Sequence, residues 1–380
     1  MINRRQLGMT GLMVSEIGFG AEWMVRKTPD EVKAVTDLCR EQGVNILDCW
    51  MADPEVRSNL GYALAGNRDE WIIQGHIGST WQDGQYVRSR DLNVVRPAFE
   101  DLLVRLGTEF LELGMIHYVD DVDEFQSIMN GPFFEYVSAL KTAGVIQHIG
   151  LSTHSPEVAR VAAFSGHIEV IMFSLNPAFD LMPPTADLDA MFGVYDDDLT
   201  GIEPARAELY ALCESKNVGI TVMKPYAGGR LLSSDTSPFG VSLSAVQCIH
   251  YALTRPAVAS VMVGVANVEQ VNDAIGYETA TEEQLDYASV LAGAPRHAYF
   301  GHCTYCGHCA PCPAGIDIAL VNKFYDLALM QEEVPASVRA HYEALSANAS
   351  DCTACSSCEP RCPFGVPVSL RMEQAGKLFG

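Results

Sequence analysis

The stretch that decides the fold is Ile146-Gln-His-Ile-Gly-Leu-Ser-Thr-His154, then Ser155-Pro-Glu-Val-Ala-Arg-Val-Ala-Ala-Phe164, then Val170-Ile-Met-Phe-Ser-Leu-Asn176. The outer runs are short, apolar and β-prone. The segment between them, from Glu157 to Phe164, carries apolar residues at spacings of three and four, the mark of an amphipathic helix. Strand, helix, strand with short connections is a parallel βαβ unit. Working outward, further apolar runs occur at Val14–Gly20, Asn45–Cys49, Trp71–Ile77, Leu111–Val119, Gly219–Pro225 and Ser260–Val265. Helical patterns lie between them at Asp30–Gln42, Leu92–Leu106, Pro204–Lys216 and Leu243–Thr254. Strand then helix, eight times over, predicts a (β/α)₈ TIM barrel. A doubly wound sheet usually announces itself with G-x-G-x-x-G after the first strand, and the residues after Gly18 and Gly20 do not supply it.

Two connections are long for this architecture. Residues 177–203, with Pro183, Pro184, Gly193, Gly201 and the acidic run Asp196–Asp198, suit either a lid or a solvated excursion; Gly78–Arg88 is rich in Gly, Ser and Gln. Both follow strands, so both belong to the face on which barrel active sites form. After a helical stretch at Glu282–Leu291, Ala294-Pro295 marks a boundary, dividing a barrel of residues 1–293 from a small domain of residues 294–380 with short helices near Ala319–Leu329, Ser337–Leu345 and Ser369–Lys377.

That small domain holds Cys303-x2-Cys306-x2-Cys309-x2-Cys312-Pro313 and Cys352-x2-Cys355-x2-Cys358-x3-Cys362-Pro363. Three thiolates at this spacing can wrap three corners of a cubane, while the fourth, just before proline, reaches the other cluster. The expected sets are Cys303, Cys306, Cys309 and Cys362 for one [4Fe-4S] cluster, and Cys352, Cys355, Cys358 and Cys312 for the second. The first run has x2 where the bacterial pattern has x3. A zinc ribbon is the alternative for C-x2-C pairs, and two consecutive four-cysteine runs each ending in Cys-Pro favour a ferredoxin-like 2x[4Fe-4S] domain. The remaining Cys39, Cys49, Cys213 and Cys248 are scattered through apolar segments, a distribution that suits metal binding in a reducing compartment.

Charge narrows the partners. With 25 Lys and Arg against 48 Asp and Glu, the net charge is −23. Such a field repels phosphate backbones and anionic lipid heads, so nucleic acid and membrane surface are poor partners. The first twenty residues lack the apolar core of a signal peptide, and no stretch approaches eighteen apolar residues, which predicts a cytoplasmic protein.

The segments Arg5-Gln6-Leu7-Gly8, Val14-Ser15-Glu16-Ile17-Gly18-Phe19-Gly20, Gly43-Val44-Asn45-Ile46-Leu47-Asp48, Ile149 to His154, Val222 to Gly229 and Gly264 to Val271, followed by the cysteine runs, resemble the aldo/keto reductase family, in its subgroup with a C-terminal 4Fe-4S domain. The resemblance implies carbonyl reduction with NADPH through an Asp, Tyr, Lys, His tetrad at strand ends. Asp48 matches the Asp and His117 the His. The family's D-T-A-x-x-Y reads Asp48-Cys49-Trp50-Met51-Ala52-Asp53 here, so Asp53 stands in place of the acid-base tyrosine; the family's T-K reads Gly75-His76. Without tyrosine and lysine the family's proton transfer cannot run as written. A carboxylate beside a histidine favours imidazolium, so His76 next to Asp48 becomes the candidate acid, with His117 as partner.

For a nucleotide or other redox cofactor, the resemblance leaves Ser152, Asn176, Lys224 and Arg230 as candidate binding residues. Met172 and Met223 stand where the family contacts and stacks on nicotinamide, and Val263–Ala274 holds no Lys or Arg for a 2′-phosphate. NAD(P)H and flavin both stay open. The leading reading is an oxidoreductase whose two clusters bring electrons to a small-molecule substrate or bound cofactor in the barrel mouth, with Asp48, His76, His117 and Asp53 as catalytic candidates and a ferredoxin or flavodoxin as candidate donor. The alternatives are an NAD(P)H-dependent carbonyl reductase with structural clusters, and a non-catalytic electron-transfer or scaffold subunit.

Overall fold

A computed structural model describes residues 2–182, 201–294, 299, 301–330 and 333–380. Eight parallel strands close into one barrel: β1 (Ile17–Gly20), β2 (Ile46–Cys49), β3 (Ile72–Ile77), β4 (Leu111–Ile116), β5 (Ile146–Thr153), β6 (Val170–Ser174), β7 (Gly219–Met223) and β8 (Val258–Gly264). Each strand pairs with its sequence neighbour, and β8 closes on β1 through Val261 opposite Ile17. The expected run Val14–Gly20 divides in two. Met13–Ser15 pairs antiparallel with Arg4–Gln6, and only Ile17–Gly20 enters the barrel. Ser15 makes the break, its hydroxyl donating to the Ile17 carbonyl at 2.6 Å while its N–H goes to Asn45 Oδ1. The expected helix at Glu282–Leu291 is likewise two pieces, Glu282–Leu285 and Tyr287–Ala292, because Asp286 turns out of helical geometry to cap the second with its carboxylate on Ser289 N–H.

Alternation along the strands sorts residues to two sides. A separate apolar cluster of Ile46, Leu113, Met115, Val170, Met172, Ala259 and Met262, with Ile72 and Met223, fills the barrel, and Leu7, Leu12 and Val14 of the N-terminal hairpin close its lower end. The alternate residues, such as Leu47, Ile73, Ile116, Leu151, Phe173 and Val222, belong to the larger core outside the barrel. Continuing the inward register by two or four residues brings Asp48, His76 and His117 to the upper end. The methionines fit because small residues face them: a Cβ on Gly150 would lie 2.2 Å from Met115 Sδ, and one on Gly18 2.5 Å from Met262 Sδ.

Of the two long connections, Gly78–Arg88 is a hairpin, Ser79–Gln82 paired with Gln85–Arg88 through a turn at Asp83 and Gly84, both with positive φ. Its ends are pinned by the Ser89 N–H on the Gly78 carbonyl at 2.9 Å. In the other, residues 183–200, including Pro183, Pro184, Gly193 and Asp196–Asp198, lie outside the described residues. Residues 177–182 tuck against the barrel flank and are buried.

The cysteine-bearing domain carries helices Ile318–Leu329, Ala336–Glu343 and Val368–Phe379. It joins the barrel through a buried polar seam. Fully buried Asp180 accepts from Tyr210 Oη at 2.5 Å and Tyr251 Oη at 2.7 Å, and Tyr251 meets Tyr299 Oη at 2.9 Å. Tyr299 in turn donates to the Pro177 carbonyl. Nearby, the Thr304 carbonyl accepts from both the Arg255 guanidinium and Tyr287 Oη. Buried polar groups are tolerated when paired in this way.

Gly150→Val tests the packing. The added side chain has no space against Met115, so overpacking should cost about 1–3 kcal/mol, read as a lower denaturant midpoint at unchanged slope.

Candidate active site and cysteine cavities

The barrel's upper end holds a buried chain of polar side chains. Asp48 is 1% exposed and His76 3%. Asp48 Oδ1 accepts from Gln74 Nε2 at 3.0 Å and lies 2.9 Å from His76 Nε2; His76 Nδ1 lies 2.8 Å from His117 Nδ1. Three of the four expected catalytic residues therefore come together on adjacent strand ends. Asp53 does not join them. It is the N-cap of the helix Pro54–Leu64, its carboxylate accepting from Glu55 N–H at 2.8 Å and Val56 N–H at 3.4 Å.

Sequence reasoning missed several neighbours. Tyr86, from the hairpin, places its hydroxyl 2.7 Å from His117 Nε2. Trp50 stacks on His117 with planes 8° apart and meets the Tyr86 ring edge-on. Arg90 donates to the carbonyls of His117 and Tyr118, and Tyr118 has φ +49°. A second histidine–carboxylate pair, His154 Nδ1 with Asp120 Oδ2 at 2.9 Å, lies under the Tyr118 ring. Glu22 reaches solvent at the rim, yet enough protein encloses it that desolvation raises its pKa, with Lys224 opposing and Asp48 adding.

The nucleotide candidates fare differently. Asn176 is fully buried and occupied: Oδ1 accepts from Ala178 and Phe179 N–H, and Nδ2 donates to the Lys224 carbonyl. Ser152 Oγ accepts from Tyr118 N–H at 2.8 Å. Lys224 sits beyond β7 with φ +57°, and Arg230 opens a short turn where Nε donates to the Thr236 carbonyl. Beyond β8, Asn267 turns its side chain onto Gln270 N–H, and no Lys or Arg occurs through Ala274. Asn176 is thus committed to the backbone, and the segment Val263–Ala274 offers no cation to a 2′-phosphate.

The cysteines surround two cavities. One is lined by Cys303, Cys306, Cys309 and Cys362; the other by Cys312, Cys352, Cys355 and Cys358. Left-handed backbone at Tyr305 and Gly307 in one loop, and at Ala354 and Ser356 in the other, turns cysteines three positions apart toward a common centre. Four soft sulfur donors around each small, mostly apolar cavity fit a cubane. Cys39, Cys49, Cys213 and Cys248 are buried elsewhere, and burial raises their thiol pKa values, to about 12 for Cys39 and Cys49.

The sequence profile of the Aldo/keto reductase family matches residues 16–244, more than half of the 380-residue chain, and that of a 4Fe-4S dicluster domain matches residues 302–367. The chain belongs to the aldo/keto reductase family, as an oxidoreductase of that type bearing a C-terminal 4Fe-4S dicluster domain. Among curated relatives, the uncharacterized oxidoreductase YqkF of Bacillus subtilis (strain 168) is 23% identical over 322 residues, covering 75% of this chain and 94% of YqkF. The aldo-keto reductase YhdN of the same organism is 27% identical over 158 residues, 39% of this chain and 46% of YhdN. Among solved structures, the holo form of aldo-keto reductase AKR11C1 from Bacillus halodurans superposes with a TM-score of 0.59 at 23% identity, covering 75% of this chain and 94% of that one. PA4992 from Pseudomonas aeruginosa gives 0.56 at 25% identity, with 72% and 95% covered. No helix among the described residues is long and apolar enough to cross a membrane.

Burial pushes the His117 pKa well below 6.5, with His76, Arg90, Arg88 and His154 adding to the fall. The folded protein thus refuses a proton that the unfolded chain accepts below about 6.5. Stability should decline as pH falls through that value, since the unfolded state then binds more protons. His117→Gln should flatten this decline between about pH 6.5 and 5, measured by denaturant titration at each pH.

Proposed function

We propose that the chain is an iron–sulfur oxidoreductase acting on a small molecule in the barrel mouth, with electrons supplied from its C-terminal domain and protons handled by Asp48, His76 and His117. The observation that carries this reading is the buried Asp48–His76–His117 chain at the strand ends, where a (β/α)₈ barrel does its chemistry. Two histidines and a carboxylate withdrawn from water and hydrogen-bonded in series are costly to keep unless they serve the site.

In this reading the domain boundary lies at residues 293 and 294. Cys303, Cys306, Cys309 and Cys362 hold one [4Fe-4S] cluster, and Cys352, Cys355, Cys358 and Cys312 the other. When bound, such clusters exchange single electrons. Cys355 and its neighbours Thr353, Ala354, Ser356 and Ser357 are exposed, which suits a carrier of the ferredoxin or flavodoxin type docking at the second cavity. Arg361 braces the pair of cavities by donating to the Cys309 and Pro311 carbonyls.

At the mouth, Asp48 orients His76 through Nε2, and His76 positions His117 through Nδ1. The rings of Trp50 and Tyr86 cover His117 and limit its contact with water. Lys224 and Glu22 lie on the far side and are the charged groups a polar substrate would meet. Lys224, Arg230 and Ser152 are the candidate contacts for substrate or a bound redox cofactor, with Ser152 Oγ also accepting from Tyr118 N–H and Asn176 committed to the backbone. Family membership favours a second reading, nicotinamide-dependent carbonyl reduction with the clusters structural. Measurable NADPH or NADH binding would select it.

Anaerobically reconstituted protein should carry about eight iron and eight sulfide per chain, as two cubanes require. Cys362→Ala should alter the cluster of Cys303, Cys306 and Cys309 and spare the spectrum of the other; zinc without sulfide, or damage to the wrong cluster, would overturn the assignment. For the mouth, we expect His76→Gln to reduce turnover by about 10² to 10⁴ with iron content intact. The assay uses dithionite-reduced protein and a panel of small carbonyl compounds, and a parent-like rate would remove His76 from the chemistry.

A further inference from the structure

Asp48 as a carboxylate has no proton to give, so the hydrogen in its contact with His76 belongs to His76 Nε2. Neutral His76 must then accept at Nδ1, and the hydrogen in the 2.8 Å contact between the rings belongs to His117 Nδ1. Neutral His117 therefore accepts at Nε2, and the hydrogen in the 2.7 Å contact beyond it comes from the Tyr86 hydroxyl. With both histidines neutral, the buried carboxylate sets the direction of all three hydrogen bonds, and the outermost group is a phenol at the rim of the mouth, half-buried, with its ring held edge-on against Trp50.

We propose that Tyr86, delivered by the hairpin after β3, is the proton-donating catalytic hydroxyl of this site, the outer end of a directional relay Asp48–His76–His117–Tyr86. This rests on the mouth being where the chemistry occurs. It answers the absence of tyrosine at position 53, where Asp53 caps a helix.

The relay has two states that differ by one proton. At rest, every hydrogen points inward toward Asp48, and Tyr86 turns only lone pairs to the mouth. A proton taken up from solvent at the Tyr86 oxygen loads the relay: Tyr86 passes its own hydrogen to His117 Nε2, and His117 Nδ1–H passes to His76 Nδ1. His117 then donates to the Tyr86 oxygen, and the phenolic hydrogen swings outward. Delivery breaks the Tyr86 O–H bond as an oxygen or nitrogen of the substrate takes that proton. His117 Nε2–H passes to the Tyr86 oxygen and His76 Nδ1–H to His117 Nδ1, restoring the resting state. One proton leaves His76 and one arrives on the substrate; no electrons move.

The surroundings support this arrangement. Burial, with His76, Arg90, Arg88 and His154, keeps the central His117 neutral, so the stored proton stays on the ring beside Asp48. Burial also holds the Tyr86 pKa above its usual value, Arg88 opposing, Tyr118 adding and Arg90 opposing, so the phenol keeps its hydrogen. The charged and titratable groups facing the chain are Asp48 from β2, Arg88 and Arg90 from the hairpin side, both paired with Glu124, the Asp120–His154 pair and Tyr118 beyond β4 and β5, and Glu22 and Lys224 across the mouth.

The test is long-range ¹H–¹⁵N NMR of the full, cluster-loaded chain labelled at histidine, with His76→Gln and His117→Gln for assignment. It needs no substrate. At high pH we expect His117 as the Nδ1–H tautomer and His76 as the Nε2–H tautomer; on acidification, His76 should become doubly protonated and His117 switch to Nε2–H at the same midpoint. His117 bearing Nε2–H at high pH, or keeping its tautomer while His76 takes its proton, overturns the relay. In the turnover assay, Tyr86→Phe should lose about 10² to 10⁴ in rate with the fold and cluster content intact. If His76→Gln is impaired while Tyr86→Phe runs at the parent rate, the relay falls and the site stands. If both run at the parent rate, the site reading falls as well.

Discussion

Asp48 is a carboxylate that water scarcely reaches, and a carboxylate in that position persists only if donors replace its hydration. Two are present on the adjacent strand, Gln74 Nε2 and His76 Nε2, both on Oδ1. They come from alternate residues of β3 because alternation along a strand sends both side chains to the same side. The demand of one buried anion therefore sets which atom of His76 is bound, which atom faces His117, and how the His117 ring must lie. Trp50 then stacks parallel to that ring. Gln74 turns its Nε2 to Asp48, and among the described residues its Oε1 has no hydrogen-bond partner.

A comparable logic governs the join between domains. Asp180 is also a fully buried acid, and its partners are the hydroxyls of Tyr210 and Tyr251, with Arg206 at 3.8 Å. Tyr299 extends this seam to the backbone leaving β6, while the Tyr299 ring packs near Phe364, which lines the first cysteine cavity. Asn176, one residue before Pro177, ties the same backbone to Lys224 beyond β7. The cavity lining and the barrel mouth are thus joined through one short series of hydrogen bonds and a ring contact.

Much of this was legible in the sequence, for physical reasons that can be named. The barrel announced itself because a helix and a buried strand leave different periodicities, and the cysteine runs because a cubane demands ligands at short fixed spacing. Asp48, His76 and His117 were located through the family resemblance, at the positions matching the tetrad's Asp, Lys and His, and the barrel reading set them at strand ends. Asp53 was misleading: Asp-Pro at a helix start is an N-cap signal, and that local use prevailed over the alignment. Asn176 was equally local, capping the turn that follows β6. Tyr86 could not be placed, since its contact with His117 depends on how a non-repeating excursion folds back. The Asp83-Gly84 dipeptide between alternating residues did carry a hairpin signal. Ser15, which splits the first apolar run, acts through side-chain hydrogen bonds that hydropathy does not register.

The hairpin that carries Tyr86 closes on itself, its two ends joined by the Ser89–Gly78 hydrogen bond, and it contributes no strand to the barrel. Its tip can lengthen, shorten or change sequence without moving any wall residue of the barrel. A reactive group mounted there evolves separately from the scaffold: selection can exchange the phenol, alter its reach, or retract it, while Asp48 and the two histidines stay in register. A position within the helix-capping segment after β2 has no such freedom, because every change there also acts on a helix the fold requires. The base of the hairpin is anchored through Ser79 to Trp50 and Arg57, so the freedom lies in its outer half, where Tyr86 sits.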